Sequence, residues 1–196
     1  MRIGIDFDNT IICYNQVFNK IALEHNLIPE TLPYGKNYVR DYLRKIGKEN
    51  EWIKMQGYVY GKRLNNAEPY DGVKNFILFC QNESIQCFII SHKTKYPYSK
   101  DKYNLHDAAS VWIDKQNIEC PVYFEPTKED KIRRLNELKC TYFIDDLPEF
   151  LCLPGFNSNI IKILFDPQNR YLHSESALYR VNSWQDIFLL IKASIV

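Results

Sequence analysis

No stretch of this chain is long and apolar enough to span a bilayer: the longest apolar run, IFLLI at 187–191, falls far short of the roughly 20 residues a membrane helix needs. Neither charge is in surplus. With 25 Lys and Arg interspersed among 24 Asp and Glu, the net charge is +1, and there is no basic field of the kind that tracks a nucleic-acid backbone or an anionic membrane. Nucleic-acid and membrane partners are therefore not expected. The six cysteines (13, 80, 87, 120, 140 and 152) include no C-x-x-C pair and no zinc spacing. Several fall in apolar runs, where a reduced thiol behaves as a small hydrophobe. No charged-then-apolar leader precedes the first strand-like run, so a cytoplasmic location is expected.

What is present suits a folded domain. At 196 residues and 45% hydrophobic, the chain can bury one sizeable core and carry a smaller insertion. Short apolar runs recur at 2–7 (RIGIDF), 86–91 (QCFIIS), 121–125 (PVYFE), 141–145 (TYFID) and 160–165 (IIKILF). Most lack alternation, which fits strands buried on both faces of a parallel sheet. Between them lie helical patterns: Val73, Phe76, Ile77 and Cys80; Ile132, Leu135 and Leu138 behind an expected Thr127 N-cap; and Trp184, Ile187, Phe188 and Ile191. Strands alternating with helices predict a doubly wound α/β domain, a Rossmann-like core.

The gap between the first strand and the helix near 72 is roughly sixty residues, against about 2 to 6 for an ordinary strand-to-helix loop. The expected organisation is a core of 1–13 and 68–196 with a helical insertion at 14–67. Val17, Ile21 and His25 mark one face of a first helix in it. Val39, Tyr42, Leu43 and Ile46 mark a second, closed by Gly47, and a third covers 50–60. The lysine-rich KTKYPYSKDKY at 93–103 is expected as an exposed loop. The tyrosines of the insertion (34, 38, 42, 58 and 60) suit rim and core packing, or stacking on a base or sugar.

The opening MRIGIDFDNT places two carboxylates, Asp6 and Asp8, at the end of a hydrophobic strand, where residues i and i+2 project to the same side. Crowded carboxylates repel unless a cation neutralises one or a proton is held by the other. In an open parallel sheet, ligands sit outside the carboxyl ends of the strands. Ser91 and His92 end the second expected strand, Asp145 and Asp146 end another, and Lys128 and Lys131 lie in the first turns of the helix before it. All converge on one edge. A solvated turn or helix cap is the plainer reading of any one of these groups; the set in order argues otherwise.

DFDNT at 6–10, the strand-ending serine of FIIS at 88–91, a lysine at 131 or 128, and the acidic pair of FIDD at 143–146 together resemble the motifs of the haloacid dehalogenase superfamily. The resemblance spans nearly the whole chain, and the insertion is similar to the helical cap of many members. It implies a Mg²⁺-dependent phosphohydrolase acting on a small phosphorylated metabolite, a sugar phosphate or nucleoside monophosphate, by way of an aspartyl phosphate. Asp6 is then the nucleophile and Asp8 the general acid and base. The metal group is Asp6, Asp8 through its backbone carbonyl, and Asp146, with Asp145 beside them orienting a bound water or the lysine. Ser91 and Lys131 hold phosphoryl oxygens, and Thr10, His92 and Lys128 complete the substrate-binding set. Lys131 is preferred to Lys128, which falls at the very start of its helix. Two rivals differ in class. A DxD glycosyltransferase needs a nucleotide-binding unit before the motif, and only five residues precede Asp6. A non-catalytic phosphate-binding protein on the same fold would bind without turnover.

Overall fold

The computed structural model describes residues 1–99, 101–172 and 179–195. Six strands form one parallel sheet: β1 (Arg2–Ile5), β4 (Gln86–His92), β5 (Val122–Glu125), β6 (Tyr142–Asp145), β7 (Ile161–Phe165) and β8 (Tyr179–Val181). Their spatial order is β5-β4-β1-β6-β7-β8. The chain runs outward from β1 through β4 to β5, then returns to the other side of β1 with β6. That reversal beside β1 opens a crevice at the carboxyl ends of β1, β4 and β6. In register, Ile5 lies beside Ile89 on one side and Ile144 on the other. Helices flank the sheet: α4 (Val73–Asn82), α6 (Lys128–Glu137), α7 (Pro148–Leu151) and α8 (Trp184–Ala193).

Local chemistry explains most of these elements. Ile3 and Ile5 are fully buried, as a central parallel strand requires. Thr127 caps α6, its side chain accepting from the Asp130 N–H at 3.0 Å, and Ser183 caps α8 in the same way. The predicted five strands are present. The edge strand β8 is additional: only three residues long and mostly exposed, it has no run of apolar residues to announce it. Phe76 packs on Trp184 with centroids 5.2 Å apart, and the Trp184 indole N–H donates to the Thr10 carbonyl at 3.0 Å. That bond fastens the turn after β1 to α8.

Gly4 sits where α6 approaches the sheet. A Cβ there would press into Leu135 Cδ2 and lie 3.1 Å from the Phe143 ring, both fully buried. Gly4→Ala is expected to lower stability by about 1–3 kcal/mol through overpacking, measured by thermal unfolding. An unchanged melting temperature would show that Leu135 repacks freely.

The chain divides into two compact units. The first is Met1–Ile11, Pro69–His92 and Ile118–Val196; the second is Ile12–Glu68 and Lys93–Asn117. The second is therefore larger than the expected 14–67 insertion. It contains α1 (Asn15–Glu24), α2 (Lys36–Lys45), α3 (Glu49–Gly61) and α5 (Leu105–Lys115), with a 3₁₀ turn at Leu64–Asn66. The short strands β2 (Ile12–Cys13) and β3 (Glu68–Pro69) pair at its chain entry and exit. Residues 93–117 group here because α5 buries Leu105, Ala109, Trp112 and Ile113, and needs an apolar partner. It finds α3, and the Trp112 indole donates to the Ala67 carbonyl at 2.8 Å. The lysine-rich 93–103 stretch is an irregular connection into this helix, with Lys100 outside the described residues. Within the unit, Tyr14 stacks near Tyr60 at 4.8 Å and Phe18 near Trp52 at 5.0 Å. His25 and Ile46, expected on buried faces, follow the last residues of their helices and are exposed. No helix among the described residues is long and apolar enough to cross a membrane.

Candidate active site

The site lies wholly within the first unit. The Asp6 N–H, just past β1, donates to the Ile144 carbonyl at 2.9 Å, continuing the sheet by one step. Phe7 turns into the core and is fully buried, while Asp8 is half-buried. Asn9 adopts φ +60°, the left-handed conformation that asparagine tolerates, and Ile11 N–H closes the turn on the Phe7 carbonyl at 3.1 Å. The turn sends the chain away at once, leaving Asp6 at the carboxyl end of the sheet.

Lys131 is the central cation. Its Nζ donates to Asp6 Oδ1 at 2.5 Å and to Asp145 Oδ2 at 2.7 Å, with the lysine only 3% exposed. Asp145 is fully buried, and its other oxygen accepts the Leu147 N–H at 2.8 Å. Both of its oxygens are thus engaged. Lys128, one turn earlier, is half-buried at the first position of α6 and forms no ion pair among the described residues. The helix phase set by Thr127 puts Lys131, and not Lys128, on the acids.

One carboxylate oxygen each from Asp6, Asp145 and Asp146 lies within 4.8 Å of the others. The donor set is all oxygen, the kind a hard divalent cation such as Mg²⁺ prefers, so these residues fit such an ion. The Asp8 carboxylate is not one of this group. Acid outnumbers base here, and the electrostatics follow. Burial pushes the Asp6 carboxyl up to about 7; Lys131 pulls it down, and Asp145 and Asp8 push it further up. Burial alone would lower the Lys131 ammonium, but the Asp145 and Asp6 carboxylates outweigh it and raise it, so the lysine stays charged.

Two hydroxyls stand out. Thr10 Oγ1 and Ser91 Oγ are buried and have no hydrogen-bond partner among the described residues, and their residues are at most 1% exposed. An unpartnered buried hydroxyl costs free energy unless a ligand completes it. His92 is exposed, and its Nε2 donates to the Pro126 carbonyl at 3.2 Å. Sequence reasoning missed the aromatic floor: Phe150 and Phe143 set their ring centroids 4.4 and 5.1 Å from Lys131 Nζ. The signal was present, since Phe143 precedes Asp145 by two residues and so shares its strand face. It also missed Glu125, whose carboxylate accepts from Arg134 at 2.8 Å and ties α6 to the end of β5.

No protein-family model matches the chain, and no curated protein matches it. Solved structures do. A HAD-superfamily hydrolase from Ehrlichia chaffeensis is similar with TM-score 0.62 at 15% identity, over 100% of this chain and 97% of that one. A HAD family hydrolase from Deinococcus radiodurans R1, with bound phosphate and sodium, gives TM-score 0.64 at 11% identity, over 100% and 96%. The HAD-hydrolase YfnB from Bacillus subtilis, bound to magnesium, gives 0.57 at 12%, over 97% of each chain. The fold is the α/β fold of these hydrolases.

Proposed function

We propose that this chain, built on the fold of the HAD-superfamily hydrolases, is a Mg²⁺-dependent phosphohydrolase that cleaves a small phosphate monoester through an aspartyl phosphate. The observation that carries the reading is the buried Asp6–Lys131–Asp145 arrangement, with Asp146 within ligand reach. Asp6, Asp146 and the Asp8 carbonyl would hold Mg²⁺, which when bound neutralises charge between an attacking carboxylate and a phosphate. An Asp6 oxygen attacks phosphorus in line; the acyl-phosphate bond from Asp6 to phosphorus forms as the bond to the leaving oxygen breaks. The leaving oxygen takes its proton from Asp8. In the second half, a water oxygen attacks the same phosphorus and gives its proton to Asp8, releasing phosphate and restoring Asp6. Lys131 offsets charge on the equatorial oxygens. The Ser91 and Thr10 hydroxyls, without partners among the described residues, donate to phosphoryl oxygens or to the loop that holds them. Sugar phosphates and nucleoside monophosphates are the candidate substrates.

The test is a turnover screen of the purified protein across phosphorylated metabolites, with Mg²⁺ or with a chelator. Phosphate release that requires the metal supports the reading. Binding of phosphate esters without turnover would favour a non-catalytic phosphate-binding protein instead. Asp8→Asn is expected to lose about 10²–10⁴-fold in kcat/KM on alkyl phosphates, which need a proton on the leaving oxygen, and far less on p-nitrophenyl phosphate. Equal losses on both esters would remove Asp8 from the acid role.

A further inference from the structure

An ammonium carries three N–H donors. Two of those on Lys131 go to Asp6 and Asp145, and no third acceptor occurs among the described residues. The nearest other feature is a ring, the Phe150 centroid 4.4 Å from Nζ, with Phe143 at 5.1 Å. Neither ring is free to turn away. Phe150 is 1% exposed and meets Phe143 edge-on at 5.8 Å and Phe156 at 5.5 Å. The backbone reinforces the arrangement: α7 begins at Pro148, directly after the Leu147 N–H that Asp145 accepts, so one short segment supplies both the acid and the ring.

We propose that Phe150, seconded by Phe143, is a positioning residue for Lys131: its electron-rich face keeps the ammonium in place when Asp6 gives up its share. The inference rests on the phosphohydrolase reading, in which Asp6 must turn its oxygen from Lys131 to phosphorus. At that step Lys131 exchanges its Asp6 contact for the phosphoryl oxygens it neutralises, and only Asp145 and the rings hold it throughout. In a site this dry, attraction between a cation and an aromatic face is stronger than at a surface. An aliphatic residue of similar bulk would fill the space without holding the charge.

Ring fluorination separates the two roles, because it withdraws electron density from the face while nearly preserving shape. Phe150 is replaced in the full chain by 4-fluoro-, 3,5-difluoro- and 3,4,5-trifluorophenylalanine, with Phe150→Leu as the aliphatic control. Hydrogen exchange of the ¹⁵N-labelled Lys131 ammonium is followed in the metal-free protein, and kcat is followed on p-nitrophenyl phosphate with Mg²⁺. The expected result is exchange that quickens stepwise along the series. In step with it, kcat falls by about tenfold at the trifluoro ring, with KM within twofold and the melting temperature nearly unchanged. Exchange that stays constant along the series overturns the proposal, leaving Phe150 as core packing, and so does faster exchange with constant kcat. If the wild type hydrolyses no phosphate ester, the phosphohydrolase reading fails by itself, and the exchange rates still decide whether the ring holds the ammonium.

Discussion

Lys131→Met lowers the melting temperature by about 6–20 °C in chelator at pH 8 and removes activity. The variant keeps the bulk of the side chain but leaves Asp6 and Asp145, both buried, without their shared cation. Breaking a buried ion pair from one side costs about 3–5 kcal/mol, because the partner's charge stays desolvated, and each 1 kcal/mol moves a domain of this size by about 2–4 °C. The loss should shrink toward pH 5. There Asp6, with its carboxyl pushed up to about 7, takes a proton and no longer needs the lysine. Adding Asp6→Asn should recover part of the stability, since the two residues touch and their effects cannot be additive. Equal melting temperatures for wild type and Lys131→Met at pH 8 would mean the ion triad is not present in solution.

Asp6→Asn abolishes turnover while leaving the protein at least as stable as the wild type. The amide cannot attack phosphorus, so kcat on an aryl phosphate should fall by at least about 10⁴-fold, the scale seen when a nucleophile is removed. Stability moves the other way, and the sign follows from linkage. The folded-state pKa of Asp6 is raised above its ordinary value of 3.8 to about 7, chiefly by burial. The fold therefore favours the protonated carboxyl, and that contribution is full below pH 3.8 and lost as pH rises through about 7. Asparagine, neutral at every pH, escapes the loss. In chelator at pH 8 the variant should melt at or above the wild type, with the gap closing at pH 4. Substantial residual turnover would falsify the nucleophile assignment.

Much of the fold was legible because its signals are local. Unbroken apolar runs mark β1, β4, β6 and β7, and the i, i+3, i+4 spacing marks α4, α6 and α8. Allegiance is not local. The helix at Leu105–Lys115 was not among the expected elements, and nothing in its local sequence states that Trp112 will bond to Ala67 and join the second unit. At the site, Asp6, Ser91, Asp145 and Asp146 could be singled out because the carboxyl ends of parallel strands share an edge, and the lysine was narrowed to 131 or 128 at the head of α6. Phe150 could not, since a phenylalanine in a short helix carries no mark of what lies beneath its ring.

By itself, the order of residues determined which chemistry is available at the sheet's edge: paired acids after β1, a hydroxyl near the end of β4, acids at the end of β6 and lysines at the head of α6. Only the packed structure decided which of those lysines meets the acids and what cradles it. Lys128 and Lys131 are nearly equivalent by spacing, and the choice depends on how α6 is rotated against the sheet. That rotation is set by the local Thr127 cap together with contacts outside the helix, Arg134 held by Glu125 at the end of β5 and Leu135 settling over the distant Gly4. Pairings between distant residues are selected by burial and shape together, and those exist only once the chain has closed on itself.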